Sequence, residues 1–215
     1  MGTTRIRLAP ETRREQLLDL GVQMLATRSV DELSIDLLAE EAGVSRGLLY
    51  HYFRSKHEFH HAVVRRAADD VIRVTAPQGE GDPLTRLAGS LDAYVEYVVA
   101  NYEGYSSLVR GAASGNPALR EIYEEARAAL TDRIFETAGD EGLADFGIVD
   151  TPAVRLMVRG WSAMTEEVVL TWARDDGGVP KAELLALLTA ALPAVLTPTS
   201  SRTGNEAELN GRRMV

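Results

Sequence analysis

Two short helical periods meet at Ala42-Gly43-Val44-Ser45, and this joint narrows the possible architecture more than any other stretch of the chain. Glycine allows a sharp reversal, Val44 plugs the angle between the two helices, and Ser45 offers a side-chain oxygen to start the second. Before the joint, Ser34 caps a helix whose Ile35, Leu38, Ala39 and Ala42 follow i, i+3, i+4, i+7; after it a third helix runs through Phe53. Upstream, Pro10 opens a helix with Leu17, Leu18, Gly21, Val22 and Leu25 on one face, completing a compact trihelical unit. Ser55 then caps a fourth helix that runs to about Thr75.

Ala-Pro-Gln-Gly-Glu-Gly-Asp-Pro at 76–83 is a break that no helix crosses. Beyond it, helical periods fall at about 83–101, 105–113, 117–138, 152–175 and 180–196, with Gly- or Pro-containing joints such as Gly115-Asn116-Pro117 and Gly177-Gly178-Val179-Pro180. No strand pattern is visible, so the expected fold is all-α, with about nine helices in total. The organisation reads as a flexible arm over 1–9 carrying Arg5 and Arg7, a helix-turn-helix domain over 10–75 including the fourth, linking helix, a larger helical domain over 83–196, and a disordered tail over 198–215 rich in Ser, Thr, Gly, Asn and charge.

Composition removes several functions. The 215 residues include no cysteine, which excludes disulfides, thiolate nucleophiles and thiolate metal sites. The longest apolar stretch, Leu184 to Leu196, is broken by Thr189 and Pro193 and falls short of the roughly 20 residues a membrane span needs. The first residues hold no apolar signal region, so the expected location is the cytoplasm. A net charge of -9 argues against contact with phosphates until it is divided along the chain. Residues 1–56 carry eight Lys/Arg and eight Asp/Glu, whereas 57–215 carry fifteen and twenty-four. The acidic excess lies outside the N-terminal quarter, which confines any DNA contact to that quarter.

The string Leu33-Ser34-Ile35-Asp36-Leu37-Leu38-Ala39-Glu40-Glu41-Ala42-Gly43-Val44-Ser45-Arg46-Gly47-Leu48-Leu49-Tyr50-His51-Tyr52-Phe53, followed by Ser55-Lys56, resembles the signature of the TetR family almost position by position. The resemblance is sharp over about 11–60 and architectural beyond. It implies a homodimer on a double-stranded DNA operator, answering to an unidentified small-molecule effector. It also implies that Ser34, Tyr50, Tyr52 and Lys56 hold phosphates, with Ser45 in the same set; hydroxyls near helix N-termini and a flexible ammonium suit that role. Base reading falls to the exposed early residues of the third helix: Arg46, whose fork matches guanine O6 and N7, with Gly47, Leu48 and His51 beside it. Leu48 departs from the small polar residue frequent in the family and points to contact with a thymine methyl. The competing reading is a helical adaptor without DNA affinity, in which Tyr-His-Tyr-Phe is packing.

His57-Glu58-Phe59-His60-His61 matches H-E-x-x-H, the pattern that sets two imidazoles on one helical face beside a glutamate base in zinc hydrolases. With four histidines in all and the motif opening a helix rather than flooring a cleft, the expectation is no metal, no cofactor and no catalysis.

For the second domain, the resemblance implies that the last two helices pair with their copies in a four-helix bundle, making it the dimerisation as well as the effector-binding domain. Two broad apolar stripes over 152–196 suit this, with Met164, Val168, Trp172, Leu184, Leu188 and Leu192 as interface candidates. Tyr94, Tyr97, Tyr102, Tyr105, Leu108, Phe135, Met157 and Trp161 are candidates for the walls of an effector pocket, apolar with a few hydroxyls.

Overall fold

A computed structural model describes residues 9–77 and 81–196. Arg5, Arg7 and the expected tail over 198–215 lie outside the described residues. Within them the chain is helical throughout: α1 (Pro10–Met24), a 3-10 turn (Val30–Glu32), α2 (Ile35–Ala42), α3 (Arg46–Tyr52), α4 (Lys56–Val74), α5 (Pro83–Ala100), α6 (Tyr102–Ala113), α7 (Pro117–Asp145), α8 (Pro152–Arg174) and α9 (Lys181–Leu196).

The helix starts are written in side chains. Ser34, Ser45, Ser55, Asp82, Asn116 and Thr151 each accept a backbone N–H from the first turn of the helix they cap. Proline occupies the first helical position of α1, α5, α7 and α8, where its missing N–H costs no helical bond. Gly43 ends α2 in the left-handed region, with φ 62° and ψ 37°, and Val44 N then donates to Ala39 O at 3.0 Å. That turn sets the angle between α2 and α3.

Two apolar clusters hold the helices together. The first joins Leu17 and Leu18 of α1, Leu38 of α2, Leu49 of α3, Phe53, and Phe59, Val63 and Val64 of α4. It is not closed on the first four helices, because Leu119 and Ile122 of α7 complete it. The second gathers Val71, Leu91, Val95, Val98, Val158, Trp161 and Val169 with Leu184, Leu188 and Leu192. α4 belongs to both clusters, and Arg66 on it pairs with Glu15 and with Asp19 at 2.6 Å on α1, while Arg65 pairs with Glu125 on α7.

Two helical ends differ from the periodicity. In α7 the helical backbone is interrupted at Gly139, with φ 64° and ψ 172°, and a further helical segment then runs to Asp145 and buries Leu143. α6 begins at Tyr102 rather than 105. The α9 interface candidates Leu184, Leu188 and Leu192 are buried in the protomer's own second cluster, whereas Leu187 and Val195 are the large apolar residues of α9 that are exposed. α9 is apolar around most of its circumference, so the sequence carried no phase, and packing against α5 and α8 chose the inward face.

Candidate nucleic-acid interface and internal chamber

α3 lies against α1, α2 and α4 through Leu49, which is fully buried, and this turns the rest of its surface outward. Arg46, Gly47, Leu48, Tyr50 and His51 are all exposed, on one short helix with Ser45 at its start. A Cβ at Gly47 would meet nothing within 4 Å, so the backbone there is open to close approach. Tyr52 is half-buried, its ring edge-on to His51 at 5.4 Å.

The hydroxyls of Ser34 and Ser45 accept from Leu37 N at 3.1 Å and Leu48 N at 3.3 Å, which leaves each O–H proton free to donate outward. Lys56, the first residue of α4, is exposed. Arg46 is not idle: its Nε pairs with Asp36 on α2, both side chains being more than half exposed. This pair spans the two helices of the turn and places a guanidinium at the start of α3.

The H-E-x-x-H stretch opens α4, with His57 and His61 one turn apart. Glu58 accepts from Arg54 N at 3.0 Å, closing the first turn of α4, and His60 Nε2 donates to the Leu33 carbonyl at 2.6 Å. Burial lowers the His60 pKa against the opposing pull of that carbonyl. Among the described residues, no three His, Asp or Glu side chains come together as metal ligands.

Behind the head, a chamber runs along α4 from Val64 to Thr75, about 16 Å at 1.5 Å per residue. Its walls are mostly apolar and come from both clusters: Val22 and Leu25 at the end of α1, Val30 of the 3-10 turn, Leu91 of α5, Phe135 of α7, Trp161 of α8 and Leu192 of α9. Of the sequence candidates, Tyr94, Tyr97, Tyr105, Leu108, Phe135 and Trp161 line it. Tyr102 and Met157 do not; Met157 is 47% exposed, one residue round the helix from buried Val158. α8 buries the stripe Val158, Trp161, Thr165 and Val169, and Met157 falls at its edge, 100° from Val158.

One polar centre interrupts the apolar wall. Tyr105 donates to Glu166 Oε2 at 3.2 Å, Tyr123 donates to Glu166 Oε1 at 2.6 Å, and Tyr94 lies 2.9 Å from Tyr105 oxygen to oxygen. Burial pushes the Tyr94, Tyr105 and Tyr123 hydroxyls well above their ordinary range, so all three stay protonated. Because Tyr105 gives its proton to Glu166, Tyr94 gives its own to Tyr105, and the carboxylate is the terminal acceptor of the chain. The sequence reading did not single out Glu166; an acid between Thr165 and Glu167 reads as a solvated turn of helix.

The comparisons with known proteins follow this layout. Residues 17–63 match the model for bacterial regulatory proteins of the tetR family, and 83–195 match the model for the tetracyclin repressor-like C-terminal domain. A tetR-family transcriptional regulator from Streptomyces coelicolor superposes with a TM-score of 0.74 and 32% identity, over 87% of this chain and 82% of that one. The transcriptional activator FasR of Mycolicibacterium smegmatis is 26% identical over 178 residues, 81% of this chain and 78% of its own. The transcriptional repressor KstR2 of Mycobacterium tuberculosis is 33% identical over 94 residues, 40% of this chain and 44% of its own.

Proposed function

Because the chain belongs to the TetR family and is therefore a DNA-binding transcriptional regulator, we propose that it acts as a homodimeric repressor released from a palindromic operator when a small molecule fills the chamber. One observation carries this reading: the chamber wall includes Val22, Leu25 and Val30 of the reading head as well as residues of α5 to α9. A molecule occupying it touches both parts at once, and any difference in its fit between two head positions becomes a difference in DNA affinity. Two heads reading successive major grooves must stand about 34–36 Å apart, so a small rotation of α4 is enough to spoil the register.

In the proposed division of labour, Arg46 with Gly47, Leu48 and His51 reads bases, while Ser34, Ser45, Tyr50, Tyr52 and Lys56 hold phosphates. The dimer face is formed by the outer sides of α8 and α9. Leu156, Met157, Met164, Leu187 and Val195 are exposed apolar residues there, and Gly160 beside them has open space where a Cβ would stand. The relatives include both an activator and repressors, so the sign rests on the release mechanism and is open to direct measurement.

The test is an anisotropy titration of purified protein on DNA flanking its own gene, at two salt concentrations, beside random DNA of equal length. Tight, salt-sensitive binding that needs both half-sites supports the reading. Equal affinity for random DNA at both salts overturns it.

A further inference from the structure

Glu166 places a carboxylate on the chamber wall with two hydroxyl donors and, among the described residues, no ion-pair partner, although Arg127 and Arg133 line the same chamber. Among the described residues no Lys, Arg or His pairs with it: Arg127, the neighbouring guanidinium, lies over the Tyr123 ring at 5.4 Å and donates to the Arg159 carbonyl at 3.4 Å. Neutral donors satisfy the hydrogen bonds of a carboxylate but do not balance its charge. A second polar atom at the same place also lacks a partner. Thr165 is 4% exposed, it lines the chamber, and its Oγ1 makes no hydrogen bond. The aromatic walls carry the same sign preference. Tyr94 and Tyr105 meet edge to face at 6.0 Å, Tyr123 stands beside them, and the face of an aromatic ring attracts cations, as Arg127 over Tyr123 already shows.

We infer that the chamber takes an organic cation: a protonated amine on an elongated apolar body, its ammonium against Glu166 and Thr165 and its body along α4 toward Leu25. This deepens the effector reading above and rests on it for the consequence on DNA, but not for occupancy. The Glu166 centre disfavours the opposite sign. A carboxylate or phosphate head at this centre would face Glu166, and of the two guanidiniums that line the chamber Arg127 is held by the Tyr123 ring and the Arg159 carbonyl and Arg133 by the Ile72 carbonyl; burying two like charges together is unfavourable. A neutral alcohol can hydrogen-bond to Glu166 but leaves its charge unpaired. An amine satisfies both the charge and the free acceptors, with up to three N–H donors.

Occupancy is read without DNA. Trp161 lines the chamber, so its fluorescence reports filling; a Trp172→Phe background removes the other tryptophan. Dodecylamine, dodecanol and dodecanoate, each below its micelle concentration, share one apolar body and differ only in the head. The expected order is amine tightest, alcohol at least tenfold weaker, carboxylate weakest. Glu166→Gln, which keeps an acceptor for the tyrosines, is expected to remove the preference for amine over alcohol while leaving alcohol binding in place. Equal affinity for the three heads, or a preference for the carboxylate, overturns the inference. Where Glu166→Gln fails to fold, the order measured on the parent decides alone. Amine binding that leaves DNA affinity unchanged keeps the ligand assignment and overturns the release mechanism; DNA release by dodecanoate does the reverse.

Discussion

Gly104 N donates to the Leu25 carbonyl oxygen at 2.9 Å, joining α6 to the residue that ends α1. The approach is so close that a Cβ on residue 104 would stand 2.5 Å from Leu25 Cβ and 2.8 Å from its carbonyl oxygen. Three residues on, Ser107 Oγ accepts from Val30 N at 2.9 Å in the 3-10 turn that follows α1. These two bonds are direct hinges between the ligand-facing helices and the reading head, independent of α4.

Gly104→Ala tests that joint. Neither Leu25 Cβ nor a backbone oxygen can move aside without shifting α1, so the expected cost is about 1–3 kcal/mol of stability. Because the strain falls between head and body, operator affinity is also expected to drop at temperatures where the variant remains folded. Thermal unfolding and a DNA titration on the same preparation check both. A variant with parental stability and affinity shows that the joint is slack and that α4 alone carries the coupling.

The division of labour at the head is tested by paired substitutions. Arg46→Ala is expected to reduce discrimination at one base pair by about 1–3 kcal/mol, and Lys56→Ala to weaken all sequences alike and lower the salt slope by about one. Asp36→Ala supplies a third outcome. It frees Arg46 from an exposed ion pair and removes a negative charge beside the DNA, so non-specific affinity is expected to rise, by less than about 1 kcal/mol for the pair itself. Titrations on operator and on point-mutated operators separate the three; identical effects of Arg46→Ala and Lys56→Ala refute the assignment.

What was legible in the sequence was whatever is decided locally. Ser34, Gly43, Ser45 and Ser55 each fix a helix end with their own side chain or backbone, so the reading head could be drawn residue by residue from the string that carries them. The chamber was half legible: Tyr94, Tyr97 and Tyr105 lie on the inward faces of their helices, but Tyr102 falls at the first turn of α6, where the Asn101 joint rather than periodicity sets the direction. Leu184, Leu188 and Leu192 could not be assigned to a partner or to the core, because Leu185, Leu187 and Ala191 make α9 almost equally apolar on its other side. Glu166 was hidden for the opposite reason, since its importance depends on Tyr105 and Tyr123, which lie 61 and 43 residues away.

That phase of α9 yields a contrast between neighbours. Leu187 is 62% exposed and Leu188 is 4% exposed, so adjacent residues should fail in different ways. Leu187→Glu or Met164→Glu is expected to leave the protomer folded but to halve the mass measured by light scattering, because a charge is buried without a partner only when two copies meet. Leu188→Ala is expected to lower stability by about 2–5 kcal/mol through a cavity in the second cluster. A dimer that survives both charged variants moves the interface elsewhere.

His60 gives the head a pH dependence whose sign is fixed by its surroundings. Its Nε2–H is committed to the Leu33 carbonyl, and burial lowers the pKa from the ordinary 6.5, with Lys56 and His57 adding repulsion and Asp31 and the carbonyl opposing. The fold therefore favours neutral His60, and between the lowered value and 6.5 the unfolded chain binds more protons. Stability from this group is fully present above about pH 6.5 and is lost as the pH falls through the folded value. Urea unfolding is expected to give a lower midpoint at pH 5.5 than at 7.5, and His60→Gln, which does not titrate, is expected to shrink that difference. If the substituted protein shows the same decline, the acid sensitivity belongs to the exposed histidines or the carboxylates, and His60 is a packing residue only.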